Sequence, residues 1–238
     1  MAGRTGTRLV AWMLALIVVF GLSSARADES LYVSNAYSTG IVMDVSGVKT
    51  ALAGGSIGSP TDPSKLGGVV LPFLYCVDIP NDVYVGETYK DTIVDNYGDV
   101  NWAPLGGGVN SGAFTQLSTS VVEGVAWLLD NYGVGGQGDD AMALQAAIWN
   151  VVYGVTLDET GTNDATMVSD YHRDLRALPS AATLASAPPP PVLWLSPNPP
   201  SNGLSIEQGL VTKVPEPSSI LLLGIFAAGV LGLRRKLA

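Results

Sequence analysis

One cysteine, Cys76, stands in the stretch LPFLYCVDIP, and the chain has no second cysteine for it to pair with. Further along, the run AMALQAAIWNVVYG carries Gln145, with Asn150 as its only other strongly polar side chain. A helix that is apolar all round is a buried helix. Helical spacing sets Gln145 on one line with Ala141, Ile148, Trp149 and Val152, so its carboxamide points into the core, where a polar group without a partner costs roughly 1–3 kcal/mol. The thiol and the amide have a joint solution. Attack of the Cys76 sulfur on the Gln145 carboxamide carbon displaces ammonia and leaves an internal thioester, provided the fold holds the two in near-attack geometry. An amine or a hydroxyl on a partner then takes over the acyl group and frees the thiol. Such a bond is spent once, so the expectation is a covalent binder with no catalytic turnover and no cofactor. Trp149, one turn after Gln145, is the candidate to keep water off the bond.

Two other readings stay open. Cys76 can be an ordinary buried apolar residue in a passive, non-covalent structural protein. It can also be the nucleophile of a secreted hydrolase with the lone His172 as its base, although a surface histidine explains His172 without chemistry. The segment GVGGQG, Gly133 to Gly138, spells a phosphate-loop pattern but follows a helix rather than a strand, and reads as a loop. Asp139 and Asp140 suit a helix N-terminus, and one Cys with one His offers no metal-ligand spacing.

The elements that must position these residues are strands first and helices later. Leu31 to Val48 and Val83 to Val94 are rich in β-branched and aromatic residues between turn formers. Leu71 to Ile79 alternates, with Leu71, Phe73, Tyr75, Val77 and Ile79 on one face and Leu74, Cys76 and Asp78 on the other. Tyr75 is thus expected to pack away from Cys76. The spelling Ser120-Val121-Val122-Glu123 predicts a capping box opening a first helix that stops at Gly133. A second helix runs from Asp139 or Asp140 to Gly154, and a third from about Asp164 to Leu178 places Met167, Val168, Tyr171, Leu175 and Leu178 on one stripe. The fold class is α+β: an N-terminal β-rich part, a small barrel or sandwich, with a C-terminal helical part in a single domain over 28–180.

Both ends read as targeting segments. Arg4 and Arg8, the apolar run Leu9 to Leu22 and Ala25-Arg26-Ala27 form a signal peptide over 1–27, which implies signal peptidase and an oxidising destination where a lone thiol is unusual. From Ala181 the sequence AATLASAPPPPVLWLSPNPPSNG predicts a Pro-rich linker over 181–213, a semi-rigid spacer able to reach on the order of 90 Å. Within it, Leu193, Trp194 and Leu195 are expected to fold back onto the domain. A second apolar run, Ile220 to Leu233, would rise about 21 Å as a helix against a hydrocarbon core of about 30 Å. Three of the twelve basic residues lie in the leader and three in the C-terminal tip, so Asp28 to Pro215 keeps six basic against twenty acidic residues, a net charge of −14. Nucleic acid is excluded as a partner on that balance.

Two resemblances follow from these motifs. Residues 214–238, with Pro215-Glu216-Pro217, a short apolar helix and the basic tip Arg234-Arg235-Lys236, resemble the PEP-CTERM sorting signal of bacterial surface proteins. This implies handling by an exosortase, a transmembrane-helix-anchored intermediate in the membrane, and delivery to the cell surface or extracellular matrix. LYCVD around Cys76 and LQAAIW around Gln145 resemble the two short motifs of the Cys-Gln thioester domains of bacterial surface adhesins. That likeness implies covalent adhesion to amine or hydroxyl groups of a protein or polysaccharide. Leu144 stands where that family commonly has Thr, and the chain has no stalk of repeats.

Overall fold

The computed structural model describes residues 28–35, 39–106, 112–135, 138–186, 188, 190–197 and 207–214. The signal peptide expected over 1–27 and, apart from Val214, the sorting segment and its C-terminal helix over 214–238 lie outside the described residues.

The chain begins with β1 (Asp28–Tyr32), β2 (Thr39–Val45), β3 (Val48–Ala53), β4 (Lys65–Leu66), β5 (Val69–Val70), β6 (Tyr75–Cys76), β7 (Thr88–Asp95), β8 (Asp99–Trp102) and β9 (Ala113–Gln116). Then come α1 (Thr119–Tyr132), α2 (Asp139–Tyr153), β10 (Thr156–Leu157), α3 (Ala165–Ala177), α4 (Ala181–Leu184), β11 (Val192–Ser196) and β12 (Leu210–Lys213). The class is α+β. The main sheet has seven strands in the order β5-β4-β1-β7-β11-β12-β6, paired antiparallel throughout and left open at β5 and β6. Smaller sheets join β10-β2-β3 and β8-β9.

The expected division into early strands and late helices needs correction at its end. The segment read as a polyproline spacer over 181–213 supplies α4 and two strands of the main sheet. β11 lies between β7 and β12, with Leu195 opposite Val94 and Leu210. Pro190 and Pro191 come just before β11, where their missing N–H groups cost the ladder nothing. Val192, Trp194 and Leu195 are buried, so the apolar residues of this segment do return to the domain, and they do so as core.

α2 is the central helix, packed against α1, α3, β2 and β10. Its alanines at 141, 143, 146 and 147 favour helix and let neighbours approach closely, and all four are fully buried. Asp139 and Asp140 occupy the first turn, where carboxylates complement the helix dipole. Gly154 ends the helix with φ of 72°, a left-handed value that suits glycine, and its N–H donates to Asn150 O at 2.8 Å. α3 starts as its sequence predicts, with Asp164 Oδ1 accepting from Thr166 N–H at 2.7 Å. α1 starts earlier than expected. Ser118 is its N-cap, and Ser118 O accepts from Val121 and Val122 N–H, so Ser120 and Glu123 sit inside the helix and form no capping box.

Candidate functional site

The segment from Leu71 to Ile79 runs between β12 and α2. Its alternation does not separate an inner from an outer face, because Leu74, Cys76 and Asp78 are buried as fully as Phe73, Tyr75 and Val77. Cys76 lies opposite Leu210 of β12 in the end strand of the main sheet. Val77 N–H donates to Gly209 O on that side, so the backbone groups of Cys76 turn the other way. They meet Gln145. Cys76 N–H donates to Gln145 Oε1 at 2.9 Å, and Gln145 Nε2 donates to Cys76 O at 2.7 Å. The carboxamide thus stands where a further strand would be, and no exposed surface is left on it.

The same helix grips the segment a second time two turns later. Tyr153 Oη donates to Asp78 Oδ1 at 3.0 Å and accepts from Ile79 N–H at 3.2 Å. Asn81 Nδ2 donates to Asp78 Oδ2, and Gln208 Nε2 donates to Asp78 O. Gln145, Trp149 and Tyr153, each one turn apart, form one stripe, so Tyr153 was within reach of the periodicity that singled out Gln145. Asp78 and Gln208 carry no comparable signal in the sequence.

Trp149 is buried beside this pair. It lines a pocket of about 430 Å³ that also contacts Cys76, Gly54, Val83, Tyr84 and Asp82. Gly54 marks how close the packing is: a Cβ there would lie 2.8 Å from Trp149 Cη2 and 2.9 Å from Gln145 Cγ. Tyr75 points elsewhere, as expected, with its hydroxyl donating to Val134 O at 2.8 Å and its ring edge-on to Phe73.

Electrostatics set the state of the thiol. Burial pushes the Cys76 thiol pKa up, and the carboxylates of Asp78 and Asp82 push it further, so the free side chain is a neutral thiol. Sulfur attacks as the thiolate, so this setting slows nucleophilic attack by Cys76 in a hydrolase and in thioester formation alike. His172 does not line the pocket; its Nε2 pairs with Glu159 at 2.9 Å, and its ring stacks at a tilt on Tyr171. The two residues of the hydrolase reading are not brought together. Gly133 to Gly135 and Gly138 form the connection between α1 and α2, as the loop reading expects, while residues 136–137 lie outside the described residues.

Asp78 gives a pH prediction. Burial raises its pKa to about 6, against the hydrogen bonds from Asn81, Tyr153 and Ala103. A carboxyl raised above its unfolded value near 4 holds a proton in the native state that the unfolded chain has lost. Its contribution is therefore full below about pH 4 and disappears as the pH rises through about 6, on the order of 3 kcal/mol in all. Urea unfolding of Asp78→Asn should lack this fall between pH 4 and 6.5. An unchanged fall would assign it to other groups.

Residues 213–236 match the PEP-CTERM protein-sorting motif. The motif, which contains Pro215, Glu216, Pro217 and the basic tip, marks an exported protein handled by exosortase through a membrane-anchored intermediate before surface display. No curated protein and no solved structure matches the chain. Among the described residues no helix is long and apolar enough to cross a membrane, and no group of His, Cys, Asp or Glu is placed to hold a metal ion.

Proposed function

We propose that this exported surface protein carries an internal thioester between Cys76 and Gln145 and uses it for one covalent attachment to a partner. The observation that carries the reading is the pairing of the Gln145 carboxamide with the backbone of Cys76 at 2.9 and 2.7 Å. The Cys76 N–H already donates to the oxygen on which charge would develop, as an oxyanion-hole donor does. Sγ bonds to Gln145 Cδ, the C–N bond breaks, and Nε2 departs as ammonia with the thiol proton. A partner amine or hydroxyl later attacks Cδ, forming an amide or ester and returning the proton to sulfur. The pocket beside Cys76 offers that nucleophile a way in. A thiol with a raised pKa is also a poor leaving group, which favours a long-lived bond over rapid turnover.

A second reading has its own support. The same amide pairing closes the open edge of β6, a sufficient structural role for Gln145 with Cys76 as plain core. Intact mass distinguishes the two. Under the thioester reading the purified protein weighs one ammonia less than its processed sequence, Cys76→Ala restores the difference, and methylamine adds once at Gln145 while exposing one thiol. A full mass with a thiol that alkylates on unfolding leaves only the structural role.

A further inference from the structure

On the outer side of the Cys76 pocket, and sharing Tyr84 and Glu87 with it, lies an open groove of about 470 Å³ that reaches Tyr89 and Glu207. Three carboxylates border the joined space: exposed Asp82 and Glu87, and Glu207. Glu207 is the unusual one. Only 7% of it is exposed, yet among the described residues its carboxylate has no hydrogen bond or ion pair, although the residue lines the groove. Its carboxylate oxygens keep their access to solvent on the groove side, and a carboxylate withdrawn this far from bulk water gains more from a neighbouring cation than an exposed one does. Lys90 also lines the groove but pairs with none of the three among the described residues, so the space keeps a negative balance.

The walls indicate which cation. The carboxylates are not placed to share a metal ion among the described residues. Tyr89 Oη accepts from Tyr84 N–H at 2.7 Å and donates to Tyr84 O at 3.0 Å, fixing the backbone of a tyrosine whose ring is exposed at the mouth. Val83 and Val85 continue an apolar wall inward to Cys76. Aromatic faces and carboxylates attract an ammonium, and apolar walls take up a methylene chain. We propose that this groove is a non-covalent binding site for an organic ammonium, the charged end of an alkylamine chain such as a lysine side chain. The site does not rest on the thioester: it would recognise its ligand with Cys76 absent.

The test uses the full chain carrying Cys76→Ala, which can form no covalent adduct, titrated calorimetrically with n-pentylamine and with n-pentanol at pH 7. Pentylamine should bind at least about ten-fold more tightly than pentanol, and Glu207→Gln should remove that preference. Glu159→Gln, whose carboxylate serves His172, should keep it. If Glu207→Gln does not fold, Glu87→Gln at the exposed rim should weaken pentylamine by about three-fold and leave pentanol unchanged. Absence of saturable pentylamine binding, equal binding of the two probes, an undiminished preference in folded Glu207→Gln, or, where that variant does not fold, unchanged pentylamine binding in Glu87→Gln would overturn the site. Because every arm lacks Cys76, none of these outcomes touches the thioester, which the mass measurement decides.

Discussion

Gln145→Ala should be less stable than Cys76→Ala, in which the Gln145 amide is necessarily intact, by about 4 kcal/mol, far more than loss of an exposed glutamine would cost. The substitution strands two backbone groups of Cys76 in a buried place, each worth roughly 1–3 kcal/mol when left without a partner, and opens a cavity beside Trp149. Cys76→Ala is the needed companion, because it removes any thioester but keeps the backbone groups that Gln145 satisfies. The difference between the two variants in urea unfolding therefore reports the amide pairing together with the cavity. A Gln145→Ala protein within about 1 kcal/mol of Cys76→Ala would show that the pairing contributes little and that water replaces it readily.

Trp149→Ala should cost about 3–5 kcal/mol, the range for truncating a large core aromatic, since the residue is only 1% exposed and touches the space that Gly54 leaves open. The sequence singles out Trp149 as a shield; burial this complete makes it structural as well. Trp149→Phe keeps most of the filling and is the better probe of shielding. If the proposed thioester forms, then at equal folded fraction the ammonia-deficient form should revert to the hydrolysed mass faster in either variant than in wild type. Equal rates would leave Trp149 with a packing role alone.

The legible parts of this fold are those where one local rule dominates. α2 was readable because Gly154 stops it, acidic residues open it and alanine fills it, and Gln145 stood out because a carboxamide in such a run has to be explained. That Gln145 and Cys76 meet was foreseeable from the need of a buried amide for a partner. The form of that meeting was not, because the amide engages the backbone of Cys76, and a backbone partner has no side-chain signature. β11 and β12 were missed for a related reason. VLWLS is a strand-like pentad, but four prolines precede it and a second proline cluster follows, so composition over a longer window outweighed it. What makes these segments strands is the vacancy between β7 and β6, a property of the assembled sheet. The first helix shows a smaller failure: Ser118, Thr119 and Ser120 can all cap, and nothing local chooses among them.

The placement of β12 has a mechanical consequence. It is the last described strand, it ends at Lys213 where the sorting motif begins, and it lies between β11 and β6. Tension on the chain beyond Lys213 therefore enters a strand that is paired on both sides, one place in from the end of the seven-stranded sheet. A pull along β12 is shared by the hydrogen-bonded ladders on its two flanks, and loading many bonds at once resists rupture better than opening them one by one. On one flank the load reaches Cys76 across the pair it makes with Leu210. The end of the sheet that holds Cys76 and the start of the sorting motif are thus joined by one short strand.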